Sequence, residues 1–178
     1  MFVTRISAIA LVAILAAGCA GSADVRKGGE ESGVGFQTLE KMVGDWAMVG
    51  QDGKPMPGLA LSSHYSAGGS AIVETIFPGA DHEMTSVYYA DGDHVLMTHY
   101  CALGNAPHMS LEFGEDENTW IFTCDGHGTN FDESEMHMHR GEVTWLGKDR
   151  FKSSWVTHTD GKPGDPVEFE MVRVARAQ

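Results

Sequence analysis

From residue 45 onward, hydrophobic and polar positions alternate in short runs with the period of two that belongs to strands. Ten such runs can be marked: Asp45–Val49, Leu59–Ser66, Ser70–Phe77, His82–Ala90, His94–Cys101, His108–Phe113, Thr119–Cys124, Glu135–Leu146, Arg150–His158 and Val167–Ala175. Turn-forming segments separate them, among them "QDGKPMPG", "FPGAD", "ADGD", "GNAP", "LGKD" and "TDGKPGDP". The one helical candidate is short, "FQTLEKMV" at Phe36 to Val43. Ten antiparallel strands in meander order would leave long unpaired edges as an open sheet, and closure removes them. The pattern therefore predicts an all-β fold: one antiparallel β-barrel of about ten strands behind a short N-terminal helix.

Strand parity then assigns the faces, because successive side chains point to opposite sides. Trp46 with Met48, Leu61 with Tyr65, Val95 with Met97, His99 and Cys101, and Trp120 with Phe122 and Cys124 each share a face. So do His137, His139, Val143 and Trp145, Phe151 with Trp155, and Val167 with Phe169, Met171 and Arg173. A small barrel is filled by apolar side chains, so polar residues on the inward parity are the informative ones. They are Tyr65, His99, His137, His139 and Arg173, with Glu74 added because "AIVETIF" surrounds it with apolar neighbours. A buried carboxylate needs water, a cation or a ligand.

The N-terminus is of a different kind. Arg5 precedes the apolar run "ISAIALVAILAAG", which is too short for a membrane span and ends in "LAAGC", Leu15 to Cys19. That ending resembles the bacterial lipobox, which implies a lipoprotein signal peptide over 1–18, cleavage before Cys19 and its modification with diacylglyceryl and N-acyl (palmitate-type) chains. Several acyl chains on one residue make a stable membrane anchor. Ala20 in place of Asp after the cysteine implies the outer membrane as destination in a Gram-negative cell. The segment that follows, to residue 35, is Gly-, Ser- and charge-rich and reads as a tether, leaving 36–178 as the barrel domain.

Charge narrows the partners. Twelve Lys and Arg against 25 Asp and Glu leave a net charge of −13, and losing Arg5 with the leader makes it about −14. Phosphate backbones would be repelled, so nucleic acid is not expected as a partner. Attachment to the membrane falls to Cys19. Cys101 and Cys124 lie on strands two apart, nearly 10 Å, against a limit of about 7 Å for bridged Cα atoms, so the reading leans to free thiols.

"VGDWAMVG" carries a Gly-x-Trp, Gly44 and Trp46, directly after the helical candidate, and Arg173 stands on the inner face of the last strand. This combination resembles the lipocalin-like (calycin) barrels. There the Trp packs at the barrel floor under an Arg from the final strand, which implies that Trp46 and Arg173 close this one. From "GGSAIVETIFPG" through "MTHYCALGNAPHM" to "HMHRGEVTWLGKDRFKSSW" the chain resembles an uncharacterised bacterial family of small lipocalin-like proteins. That resemblance implies the fold and no chemistry. The haem-binding nitrobindin branch carries a Gly-rich segment after its Trp, which "GDWAMVGQDG" lacks.

Chemistry is sparser. His137 and His139 form an H-x-H that sets two imidazoles on one face, about 7 Å apart along the chain. With His99 they make three imidazoles that suit zinc with an open fourth position. A bulge at Gly141 would instead turn the pair outward. His64, His94, His108 and His158 fall on the opposite parity and His82 and His127 at a strand start or turn, so these six read as solvent-facing. No acid, base and nucleophile set stands out, and G-x-S-x-G, P-loop, C-x-x-C and H-E-x-x-H are absent. The leading expectation is a barrel that binds a small, mostly apolar ligand. Its wall would be Trp120, Phe122, Trp145, Trp155 and Phe169, with His99, His137, His139 and Glu74 as polar anchors. A metal-binding protein using His99, His137 and His139 is the competing class, followed by an interaction lipoprotein with a filled barrel. Neither haem nor zinc is singled out as cofactor.

Overall fold

The computed structural model describes residues 35–175; the expected signal peptide, Cys19 and all but the last residue of the tether lie outside them. Eleven strands form: β1 Gly44–Met48, β2 Leu61–Ser66, β3 Ala71–Ile76, β4 Met84–Asp91, β5 His94–Tyr100 and β6 Ala106–Phe113, then β7 Thr119–Thr129, β8 His137–Gly147, β9 Arg150–Thr159, β10 Lys162–Pro163 and β11 Val167–Val174. β1 to β8 pair in sequence, β8 pairs with β9, β9 with β11 and β11 with β1, all antiparallel. Ten strands thus close a barrel, and the two-residue β10 pairs with the end of β9, past Trp155 where β11 begins, at the hairpin "TDGKP". The fold is the closed all-β meander that the alternation predicts. Among the described residues, no helix is long and apolar enough to cross a membrane.

Phe36–Met42 winds as a 3-10 helix with Leu39 fully buried under the barrel. Trp46 anchors it, its indole Nε1 donating to the Met42 carbonyl at 2.9 Å. Trp46 is cross-strand partner of Arg173. The Arg173 guanidinium carbon lies 4.1 Å from the indole centroid, and Nη1 donates to the carbonyl of Val43 at 2.6 Å. Gly44 makes room for it: its φ is +137° and Arg173 Nη1 fills the space where a Cβ would stand. Trp145 and Phe151 complete this end, with ring centroids 5.8 and 4.9 Å from that of Trp46. Edge-to-face packing of this kind adds to the burial of the rings themselves.

The core follows parity in most strands. Val95, Met97 and His99, Trp120 and Phe122, Val143 and Trp145, and Phe151 are buried. Tyr65 departs from expectation: its ring is exposed, because it stands at the end of β2 beyond the level at which Ser63 meets the interior. β7 also runs five residues past Cys124, the expected strand end. A register shift between Pro107 and Met109 takes up the extra residues Asp125 to His127, where Gly126 sits at φ +81°. Cys101 and Cys124 are both free thiols.

Candidate functional site

The barrel is not packed solid. A cavity of about 210 Å3 lies inside it, with an almost wholly apolar lining. All four tryptophans line it, Trp46, Trp120, Trp145 and Trp155, together with Phe122, Phe151 and Phe169. Trp120 and Trp145 pack edge to face at 4.9 Å near the closed end, while Phe122 and Trp155 stack at 5.9 Å with 19° between planes. The lining also includes exposed Asp165 and Val167, so the cavity opens beside the start of β11.

Trp155 reaches its place through a local sequence choice. It pairs with Gly141 across β8 and β9, and its indole lies where a Cβ on Gly141 would stand. Any side chain there would collide with the ring. Gly141 is thus a recess for an aromatic wall; the two register shifts of β8 lie on either side of it, between Met138 and Arg140 and between Trp145 and Gly147.

Polar groups enter the interior along one row. Ser63 pairs with Glu74, Glu74 with Ser86, and Ser86 with His99, so one register line across β2 to β5 carries four buried polar residues. The row is bonded internally. Ser63 Oγ donates to Glu74 Oε2 at 3.3 Å, Tyr88 Oη donates to Glu74 Oε1 at 2.9 Å, and Ser86 Oγ is 3.0 Å from His99 Nδ1. Burial pushes the Glu74 carboxyl up to about 7, against which the bonds from Tyr88 and Ser63 work. Burial holds the His99 imidazole down at about 4, so it is neutral at pH 7. The Tyr88 hydroxyl is driven well above its ordinary range, first by burial and then by Glu74, and so stays a donor.

His99 Nε2 has no partner. Four buried side-chain polar atoms among the described residues share that condition, and three belong to the cavity lining: His99 Nε2, Trp120 Nε1 and Trp145 Nε1. Unsatisfied buried polar groups cost about 1–3 kcal/mol each, so three of them around one cavity mark it as the place where the interior lacks hydrogen-bond partners.

Of the residues singled out in the sequence, Glu74, His99, Trp120, Phe122, Trp145, Trp155 and Phe169 all line this cavity. His137 and His139 do not. The ladder between β8 and β9 slips between Met138 and Arg140, leaving His139 without a cross-strand partner. That bulge turns Met138 into the cavity lining. The expected trio of His99, His137 and His139 is therefore divided between two places. His139 stacks on His158, rings 3.6 Å apart and 11° from parallel, so His158 is half-buried, contrary to its expected solvent-facing position. Tyr88, Ser63 and Ser86 were not singled out by parity, although Ser86 and Tyr88 alternate on one face of "MTSVYYAD"; only the register joins them to Glu74.

No protein-family model matches this chain, and no curated protein matches it either.

Proposed function

We propose that the barrel binds a small, mostly apolar molecule carrying one hydrogen-bonding polar group, and that the chain is a bacterial envelope lipoprotein held by acylated Cys19. The observation that carries the ligand reading is the unpartnered His99 Nε2 in the lining of an open apolar cavity. Ser86 Oγ lies 3.0 Å from Nδ1; in the tautomer in which it donates there, which this reading takes, the neutral ring presents Nε2–H to an acceptor oxygen of the ligand. The aromatic wall supplies apolar contact area and excludes water, which strengthens that one bond. Glu74, with its pKa at about 7, favours a neutral ligand over a carboxylate as pH rises.

Cyclohexanone and cyclohexane separate the polar from the apolar contribution, and the four lining tryptophans report on either. A saturable fluorescence change, at least tenfold tighter for the ketone and equalised by His99→Leu, is the expected result. No saturable change with either compound would sink the reading.

Support for the anchor is the lipobox-like "LAAGC" behind an apolar leader, and Ala20 favours the outer membrane, on its periplasmic side, in a Gram-negative cell. Cells fed radiolabelled palmitate should label the wild-type chain and leave Cys19→Ser unlabelled. Label retained by Cys19→Ser would discard the anchor.

A further inference from the structure

The bulge that turns Met138 into the cavity also gathers a second set of side chains. Cys124 in β7 and His137 and His139 in β8 each bring one ligand atom to within 4.8 Å of the other two. We propose that these three residues bind a zinc-type divalent cation through Cys124 Sγ, His137 Nε2 and His139 Nδ1. This goes beyond the cavity reading and does not depend on it.

The tautomer of His137 is already the one a metal needs. Its Nδ1 is 2.8 Å from the carbonyl oxygen of Glu135, which can only accept, so Nδ1 carries the proton and Nε2 presents its lone pair. A backbone carbonyl behind a ligating imidazole is the usual orienting partner in metal sites. Phe131 packs on the same ring, centroids 4.8 Å apart, and His137 is 2% exposed.

The separation of the nitrogens also fits. In a tetrahedral site with Zn–N bonds of about 2.0–2.1 Å, two imidazole nitrogens stand about 3.3 Å apart. His137 Nε2 and His139 Nδ1 are 3.3 Å apart. Stacking on His158 holds the His139 ring in that position. One thiolate with two imidazoles is a donor set for zinc and its neighbours in the first transition row, not for magnesium or calcium. Glu133 brings negative charge to the same place: its carboxylate lies against Gly126 and acts on both Cys124 and His139.

Binding breaks the Cys124 S–H bond, forms the S–metal bond and releases the thiol proton to water. Without metal, His139 Nδ1–H serves the bond to His137 Nε2; with metal, that proton passes through water to His139 Nε2 and frees the Nδ1 lone pair. His139 is half-buried, so the ion has a path from its side. Three protein ligands leave a fourth position for water or the Glu133 carboxylate.

Cobalt(II) as a spectroscopic stand-in tests the site on the full chain freed of metal by chelation. One equivalent should produce an ultraviolet thiolate-to-cobalt charge-transfer band together with visible bands of tetrahedral intensity, and zinc should erase both. Cys101→Ser should keep the charge-transfer band and Cys124→Ser should lose it. His139→Gln, a change at a half-buried position, should weaken cobalt binding at least tenfold with an unaltered far-ultraviolet spectrum. No charge-transfer band in the wild-type chain, a band that survives Cys124→Ser, or unchanged affinity in His139→Gln would each overturn the proposal.

Discussion

The guanidinium carbon of Arg173 sits 4.1 Å from the centre of the Trp46 indole, on directly paired residues of β11 and β1. From there its nitrogens donate to the carbonyls of Lys41, Val43 and Lys148 and to the carboxylate of Asp149. One side chain therefore joins the 3-10 helix, the start of β1 and the β8–β9 turn over the aromatic floor. Its stem packs like an apolar residue while its head satisfies carbonyls that would otherwise be left at the barrel end.

Arg173→Met keeps the stem and removes the donors. The loss of charged hydrogen bonds and of the cation–π contact predicts a destabilisation of about 2–4 kcal/mol in urea unfolding. Arg173→Lys should recover less than half, because one ammonium cannot span the same four acceptors. A loss below about 0.5 kcal/mol for Arg173→Met would mean that the barrel closes without it.

Glu74 and His99 have pH effects of opposite sign. The folded carboxyl titrates at about 7 against an ordinary 4.5, so stability is lost as pH rises from 4.5 through 7, by up to about 3 kcal/mol. Folded His99 titrates at about 4 against an ordinary 6.5, so its contribution is lost as pH falls from 6.5 through 4. Between pH 4.5 and 6.5 the two slopes oppose each other, and the wild-type stability should be nearly level. Glu74→Gln removes one slope. The variant should exceed the wild type at pH 8 by up to about 3 kcal/mol and then fall steadily from pH 6.5 to 4.5. Parallel curves for the two proteins in denaturant titrations would refute the assignment.

Tyr88→Phe leaves the Glu74 Oε1 atom without its donor at 2.9 Å. That bond lowers the Glu74 pKa, so its removal should raise it further. The cost should be about 1 kcal/mol at pH 5, where Glu74 is protonated, and larger at pH 8, where the charge is bare. Unfolding at the two pH values measures the difference directly.

Gly141→Ala places a methyl group into the indole of Trp155. Overpacking of this kind costs about 1–3 kcal/mol, and it should also break the stacking of Trp155 on Phe122. Near-ultraviolet circular dichroism should lose aromatic signal. Gly141→Ala combined with Trp155→Ala should cost less than the sum of the two single changes, since the collision partner is gone.

Much of the barrel is legible as alternation. The ten expected runs correspond to ten closing strands, and inward parity put the side chains of Trp120, Phe122, Trp145, Phe151 and His99 in the interior, where they lie. The pairing of Trp46 with Arg173 was legible only through the resemblance of Gly-x-Trp and a last-strand Arg to lipocalin-like barrels, and the two are cross-strand partners. Glu74 stood out because its neighbours on both sides are apolar, and it is buried.

Parity fails where a strand gains a residue. His137 and His139 read as a pair facing the cavity because alternation was counted straight through from Val143, and the bulge between Met138 and Arg140 breaks that count. Cys124 had no visible link to them, since nothing local says which residue of β7 comes opposite the bulge. The same holds for Ser63, Ser86 and Tyr88 around Glu74.

The sequence by itself determined the strands, their order and, away from bulges and strand ends, which side chains face inward, because these follow from a period of two and from short connections. Tertiary structure alone decided the row from Ser63 to His99, the recess of Gly141 under Trp155, and the meeting of Cys124 with two histidines. Those are matters of register between strands, and a shift of one residue, invisible to hydrophobic pattern at a bulge, exchanges the two faces of the wall.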